Sequence, residues 1–93
     1  MISPEQESII KDTLKRYSPS MVGIFGSYAR NEQRESSDLD ILIDFDQRID
    51  LIELIGLEQE LTTLLGIKVD LVTVRSLKPQ LQSYVHQDLI RIL

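Results

Sequence analysis

Apolar residues recur along the chain in two different periods. Ile10, Leu14 and Tyr17 stand at helical spacing behind Ser3-Pro4-Glu5-Gln6, a serine N-cap with proline at the first helical position and glutamine at the third. This predicts a first helix that Pro19 ends. Met21 to Phe25 is a short apolar run that reads as a strand, broken by Gly26-Ser27. Tyr28 to Glu32 fits a short helix, and Arg34 to Ser37 a polar loop. From Asp38 to Phe45 the period switches to two: Leu39, Ile41, Ile43 and Phe45 share one face, and Asp38, Asp40, Leu42 and Asp44 share the other.

Asp50, with Glu53 three residues on, predicts the capped start of a second long helix, and Gly66 suits its left-handed C-terminal position. Leu51, Leu54, Ile55, Leu61 and Leu65 are the expected buried stripe. Ile67 to Val74 reads as a third strand. Ser76 opens an expected final helix with the stripe Leu77, Leu81, Tyr84, Val85, Leu89 and Ile92. The order αβ(α)βαβα predicts an α/β (α+β) fold, a three-stranded mixed sheet with flanking helices.

The chain has 93 residues, which is the length of one domain with a thin core. It has no cysteine and one histidine, which excludes thiol catalysis, disulfide scaffolds and histidine-based metal cages. No apolar run is long enough to cross a membrane, and Met1 to Ile10 lacks the pattern of a secretory signal. The expected compartment is therefore the cytoplasm. The net charge is −5 and the basic residues are scattered, so direct nucleic-acid binding is not expected. The acidic excess instead gathers between Asp38 and Asp50, which favours a cation site.

One constellation carries chemistry. Gly26-Ser27 ends the first strand, and Asp38-Leu39-Asp40 opens the second. Residues i and i+2 of a strand point the same way, so both carboxylates project from one face. Carboxylates held that close repel unless a cation lies between them. Mg²⁺ is the natural choice, a hard ion held by carboxylates and substrate phosphates. The Gly-Ser turn offers backbone N–H groups and close approach to a phosphate, the Ser27 hydroxyl can donate to it, and Arg30 could add a charge-assisted contact. Asp70, between Val69 and Leu71 of the third strand, is read as a buried charge that a metal would relieve. Asp38, Asp40 and Asp70 would then hold one or two Mg²⁺ ions, the clamp of phosphoryl and nucleotidyl transfer. Each piece has a structural alternative: a Gly-Ser pair as an ordinary turn, Asp-x-Asp as a solvated edge, Asp70 paired with Lys68 or an arginine.

Gly23-Ile24-Phe25-Gly26-Ser27-Tyr28-Ala29-Arg30, followed by Ser37-Asp38-Leu39-Asp40-Ile41-Leu42-Ile43, resembles the DNA polymerase beta-like nucleotidyltransferase superfamily. In length and motif the chain, residues 1–93 as a single domain, resembles the minimal nucleotidyltransferase, the antitoxin half of HEPN/MNT toxin–antitoxin pairs. The resemblance implies that Gly26 and Ser27 hold a donor triphosphate, that Asp38, Asp40 and Asp70 bind Mg²⁺, and that Asp70 accepts the proton of the nucleophile. It assigns Arg34 to nucleotide contact. It further implies ATP as donor, a HEPN-type toxin as partner, and a tyrosine hydroxyl of that toxin as the acceptor of AMP. Many relatives have glycine after the Ala-Arg pair. Here it is Asn31, which tolerates left-handed φ better than most residues. A small-molecule nucleotidyltransferase and a non-catalytic binding antitoxin are the alternatives.

The remaining residues read as structural. His86 is expected to be solvated. Tyr17 and Tyr84 continue apolar stripes, as core or interface. Leu89, Ile92 and Leu93 are the expected exposed apolar residues of the last helix, available to a partner or to a homo-oligomer.

Overall fold

The computed structural model describes residues 2–93. Ser3 caps the first helix, α1 (Pro4–Leu14): its hydroxyl accepts from the Gln6 N–H at 3.1 Å, and the Gln6 carboxamide accepts from the Ser3 N–H at 2.8 Å. One 3-10 turn follows, Lys15–Tyr17, and Ser18, at φ 49°, reverses the chain into β1 (Pro19–Phe25). The second strand is β2 (Leu39–Phe45), and α2 (Leu51–Leu65) follows. The Asp50 carboxylate caps α2 by accepting from the Glu53 N–H at 2.7 Å, and Gly66 closes it at φ 71°. β3 (Val69–Thr73), α3 (Pro79–Asp88) and β4 (Ile90–Arg91) complete the chain.

The sheet has four strands, in the order β3-β2-β1-β4, where three were expected. β1 runs antiparallel to β2 and β4, and β2 runs parallel to β3. The missed strand spans two residues. Leu89 and Ile92, three apart, fit a continuing helix as well as a chain that has left one. The last helix also starts later than expected, at Pro79; Ser76 instead ends a 3-10 turn capped by Thr73. Gly23 lets the C-terminal segment close on β1, because a Cβ there would collide with Leu89. Leu89 and Ile92 are half-buried for this reason, Ile92 against the main core; only Leu93 of that expected trio is exposed.

The alternation in β2 sorts the layers. Leu39, Ile41, Ile43 and Phe45 face a core that includes Ile10 and Leu14 of α1, Val22 and Ile24 of β1, and Leu57 and Leu61 of α2. Tyr17 packs edge-on against Phe45, with ring centroids 6.0 Å apart. The buried stripe of α2 is Leu57 and Leu61 backed by Leu54 and Leu65, whereas Leu51 and Ile55 are 69% and 44% exposed. This helix is apolar around most of its circumference, so periodicity alone selects the wrong face at its N-terminal end. Two α2 side chains reach the outer side of β3: Thr62 Oγ1 accepts from the Val69 N–H at 3.0 Å, and Glu58 Oε2 from the Leu71 N–H at 2.8 Å.

The opposite face of the sheet carries Asp40, Leu42 and Asp44 of β2, with Leu42 fully buried outside the main core. α3 covers this second face. Its neighbour Leu89 lies over Gly23, and Gly23 is flanked by Val22 and Ile24, which point to the first face. Val85 is the buried residue of α3, while Tyr84 is 69% exposed and so lies outside the core.

Candidate active site

The turn after β1 is built by its own backbone. Gly26 sits at φ 75°, where a side chain is strained, and a Cβ there would also collide with the Asp40 carboxylate. The Arg30 N–H donates to the Gly26 carbonyl at 3.1 Å and the Glu32 N–H to the Ser27 carbonyl at 2.9 Å. These bonds close turns over Gly26–Asn31, not the expected short helix from Tyr28. Asn31 takes the left-handed conformation, φ 58°, that its place in the motif requires. Tyr28 is buried in the main core and anchors the turn from below, leaving Ser27 half-buried beside it.

Register then places the acids. Phe25, at the end of β1, pairs with Asp40 of β2, and Asp40 pairs with Asp70 of β3. Neighbouring parallel strands lie about 4.8 Å apart, so the two carboxylates stand side by side next to the Gly-Ser turn. The Asp40 carboxyl is pushed up to about 6 from its ordinary 3.8, first by burial, then by the charges of Asp70 and Asp38; Arg30 pulls the other way. Asp70 is exposed, contrary to the reading of a buried charge. β3 is the outer strand of the sheet, so the polar face of its alternation opens to solvent at the cleft.

Asp38 precedes β2 and lies 3.8 Å from the Lys68 ammonium. Among the described residues no three acidic side chains are gathered closely enough to enclose an ion by themselves. The donor set nonetheless suits a hard divalent cation that keeps water or substrate oxygens: two adjacent carboxylates, one of which resists ionisation through burial and then through the charges beside it. Asp40 and Asp70 are the pair that would hold it, with Asp38 at their side.

Arg30 is engaged on the cleft side of the turn. Its guanidinium bonds Asp88 of α3 at 2.5 Å and Glu32 at 3.4 Å, and Asp88 raises its pKa further. Arg34 is exposed, its backbone N–H donating to the Ser37 hydroxyl at 2.8 Å. Sequence reasoning missed the Asp88 contact, since nothing in the pattern brings the end of α3 to a turn 58 residues away.

Gly26, Arg30, Asp70 and Asp88 border a cleft of about 490 Å³ whose walls mix the apolar Phe25, Val72, Leu77, Leu81, Tyr84 and Val85 with the polar Ser76 and Lys78. A smaller hollow of about 320 Å³ lies between Asp44, Ile49, Leu51 and Arg75 and contains none of the motif residues. Asp44 is thus peripheral, as its position along the strand predicts.

A glycine-serine turn facing paired strand carboxylates defines a nucleotide-transferring enzyme class, and the comparisons with known proteins agree. Residues 8–93 match the family described as polymerase beta, nucleotidyltransferase, and the chain belongs to it. It is 47% identical over 89 residues to the protein MJ1217 of Methanocaldococcus jannaschii, covering 95% of this chain and 88% of that one. It is 40% identical over 92 residues to the protein adenylyltransferase MntA of Thermococcus cleftensis, covering 95% and 93%. A toxin–antitoxin structure with AMP-PNP superposes with a TM-score of 0.86 at 29% identity, over 94% of this chain and 72% of that one. A tri-AMPylated HEPN toxin of Shewanella oneidensis in complex with its MNT antitoxin contains a match with a TM-score of 0.79 at 26% identity, over 96% and 70%. The likeness to minimal nucleotidyltransferases of HEPN/MNT pairs therefore extends across the fold as well as the motif.

Proposed function

We propose that this chain is a Mg²⁺-dependent protein adenylyltransferase and the antitoxin of a HEPN-type toxin, moving AMP from ATP to a hydroxyl, a tyrosine's, on that partner. Residues 1–93 act as one minimal nucleotidyltransferase domain in the cytoplasm. The observation that carries this reading is the register pairing of Asp40 with Asp70 beside the turn at Gly26. The named adenylyltransferase relative and the antitoxin structures support it.

The roles follow from position. Backbone N–H groups of the Gly26-Ser27 turn and the Ser27 hydroxyl bind the triphosphate oxygens. Arg34, exposed on the loop beyond, reaches the nucleotide from the open side. Asp40 and Asp70 hold the metal with Asp38, and the bound ion supplies positive charge that neutralises the phosphates as the α-phosphorus is attacked. Asp70, exposed at the cleft, takes the acceptor's proton; pyrophosphate leaves in line.

Incubation of the chain with radiolabelled ATP, Mg²⁺ and a HEPN-type protein encoded beside it tests this. Label is expected on the partner, and none with Asp40→Asn. A partner that is bound and silenced without label overturns the enzymatic reading in favour of a binding antitoxin.

A further inference from the structure

We infer that the outward face of α2 is a docking surface for an amphipathic helix of the protein partner, one that carries lysine or arginine on the side that meets Glu53. This rests on the reading above that the chain has a protein partner, and adds where and by what chemistry that partner is held. Ile52, Gly56, Gln59 and Thr63 stand at helical spacing and form one ridge. Leu57 and Leu61, buried in the main core, lie on the other side of the helix. All four ridge residues are exposed, Ile52 at 82%, and Ile55 beside them is exposed too.

This ridge is unlike an ordinary solvent face. A surface helix normally turns charged side chains away from the core, and this ridge has none. Gly56 lies inside the helix, where glycine destabilises relative to alanine. Nothing within the chain requires it. Its φ is not left-handed, and a Cβ built there meets no atom within 4 Å. The missing side chain leaves a notch beside two exposed isoleucines. A second helix can set an apolar side chain into that notch and bring its backbone close, burying Ile52 and Ile55 as it does so.

Charge beside the ridge sets the partner's chemistry. α2 contains three glutamates and no lysine or arginine. Glu58 accepts from the Leu71 N–H, and Glu60 pairs with Arg16. Glu53 is exposed on the flank of Ile52, and among the described residues its carboxylate has no ion-pair partner. Arg48 and Arg75 border the hollow beside Leu51, across the ridge from Glu53. A cation on the partner helix complements Glu53, and a second copy of α2 has none to offer. α2 packs on the sheet face opposite Asp40, so a helix docked here leaves the Gly26-Ser27 turn and the cleft open. Holding the partner and transferring AMP are separable events on this chain.

The test titrates the full chain with a HEPN-type protein encoded beside it, by calorimetry, for wild type, Gly56→Leu, Ile52→Ser and Glu53→Gln. Melting temperatures of the free chains, light scattering and AMP transfer from radiolabelled ATP are read in parallel. Gly56→Leu is expected to raise the melting temperature of the free chain by about 4 °C and yet weaken the complex at least about tenfold. Ile52→Ser should weaken it about tenfold. Glu53→Gln should weaken it less and reduce its dependence on salt. Affinity for AMP-PNP stays within about twofold in all three. Complex affinity unchanged in Gly56→Leu and Ile52→Ser overturns the surface, and label on the partner then keeps the enzymatic reading. Weakened complexes with no label in the wild type keep the surface and overturn the enzymatic reading. A lower melting temperature for Gly56→Leu gives Gly56 a role inside the chain and overturns the inference. So does a free chain that is a dimer in the wild type and a monomer in Gly56→Leu, which assigns the face to a second copy. No measurable complex in the wild type overturns the surface, whether or not the partner is labelled.

Discussion

Asp40 and Asp70 stand opposite each other in the parallel β2–β3 pair, and the sheet, not any attraction between them, holds them there. Asp40 pays for this with a carboxyl pushed up to about 6, against 3.8 for the free group. Folding therefore favours its protonated form. The stabilisation from this group is fully present below about pH 4 and is lost as pH rises through about 6. In metal-free protein at pH 7, Asp40→Asn should raise the melting temperature. Half-exposure limits the gain to about 1 kcal/mol, or roughly 4–8 °C. The gain should vanish at pH 4. Mg²⁺ with nucleotide should stabilise the wild type by mass action and the variant much less. Calorimetric scans of both proteins at pH 4 and 7, with and without Mg-ATP, check this. A variant that melts lower at pH 7 would identify Asp40 as a simple structural acceptor.

The three carboxylates should each matter to transfer and little to the fold. Asp38→Asn, Asp40→Asn and Asp70→Asn are expected to lower the transfer rate at least about 100-fold, the scale of losing one preorganised electrostatic contact in a transition state. Far-UV circular dichroism should be unchanged. Near-wild-type transfer by any of them at saturating Mg²⁺ would remove that residue from the metal set.

Gly26 and Gly66 make a matched pair, with φ 75° and 71°. An added Cβ meets the Asp40 carboxylate at Gly26 and open space at Gly66. Gly66→Ala should cost about 1–2 kcal/mol, the left-handed strain alone. Gly26→Ala should cost more and also depress transfer, because the turn or Asp40 must shift. Urea melts of both variants read the difference. Equal costs would mean that Asp40 moves aside freely.

Asp88 competes for Arg30. Its carboxylate bonds the guanidinium at 2.5 Å, on the cleft side of the turn. Asp88→Asn should release Arg30 toward the triphosphate and lower the KM for ATP severalfold. An unchanged KM, with Arg30→Ala equally silent, would make the pair a strut between α3 and the turn.

Much of this was legible because local chemistry decided it. Ser3 with Gln6, Asp50 with the Glu53 N–H, and Gly66 each end or start a helix through bonds within a few residues. Asp38 to Phe45 alternates so strictly that one face could only be core. Asn31 could be placed in a left-handed turn from its motif position alone. What escaped was set at long range. Whether Asp70 is buried depends on whether β3 is an inner or an outer strand. The α2 face that meets the core depends on where α1 lies. β4 exists only because Gly23 admits Leu89. The Gly-Ser and Asp-x-Asp elements were found as words. The Arg30–Asp88 bond and the wall of Leu77, Leu81 and Tyr84 needed α3 in place.

The hydrogen bonds from Val69 and Leu71 of β3 to Thr62 and Glu58 bear on how this protein can associate. An outer strand normally offers its free N–H groups to a strand of another molecule, the usual seed of aggregation. Here two side chains of α2 have already taken them, and the other margin of the sheet offers only the two residues of β4. Edge-to-edge growth is thus blocked beside Asp70, and partners are directed to helices and loops.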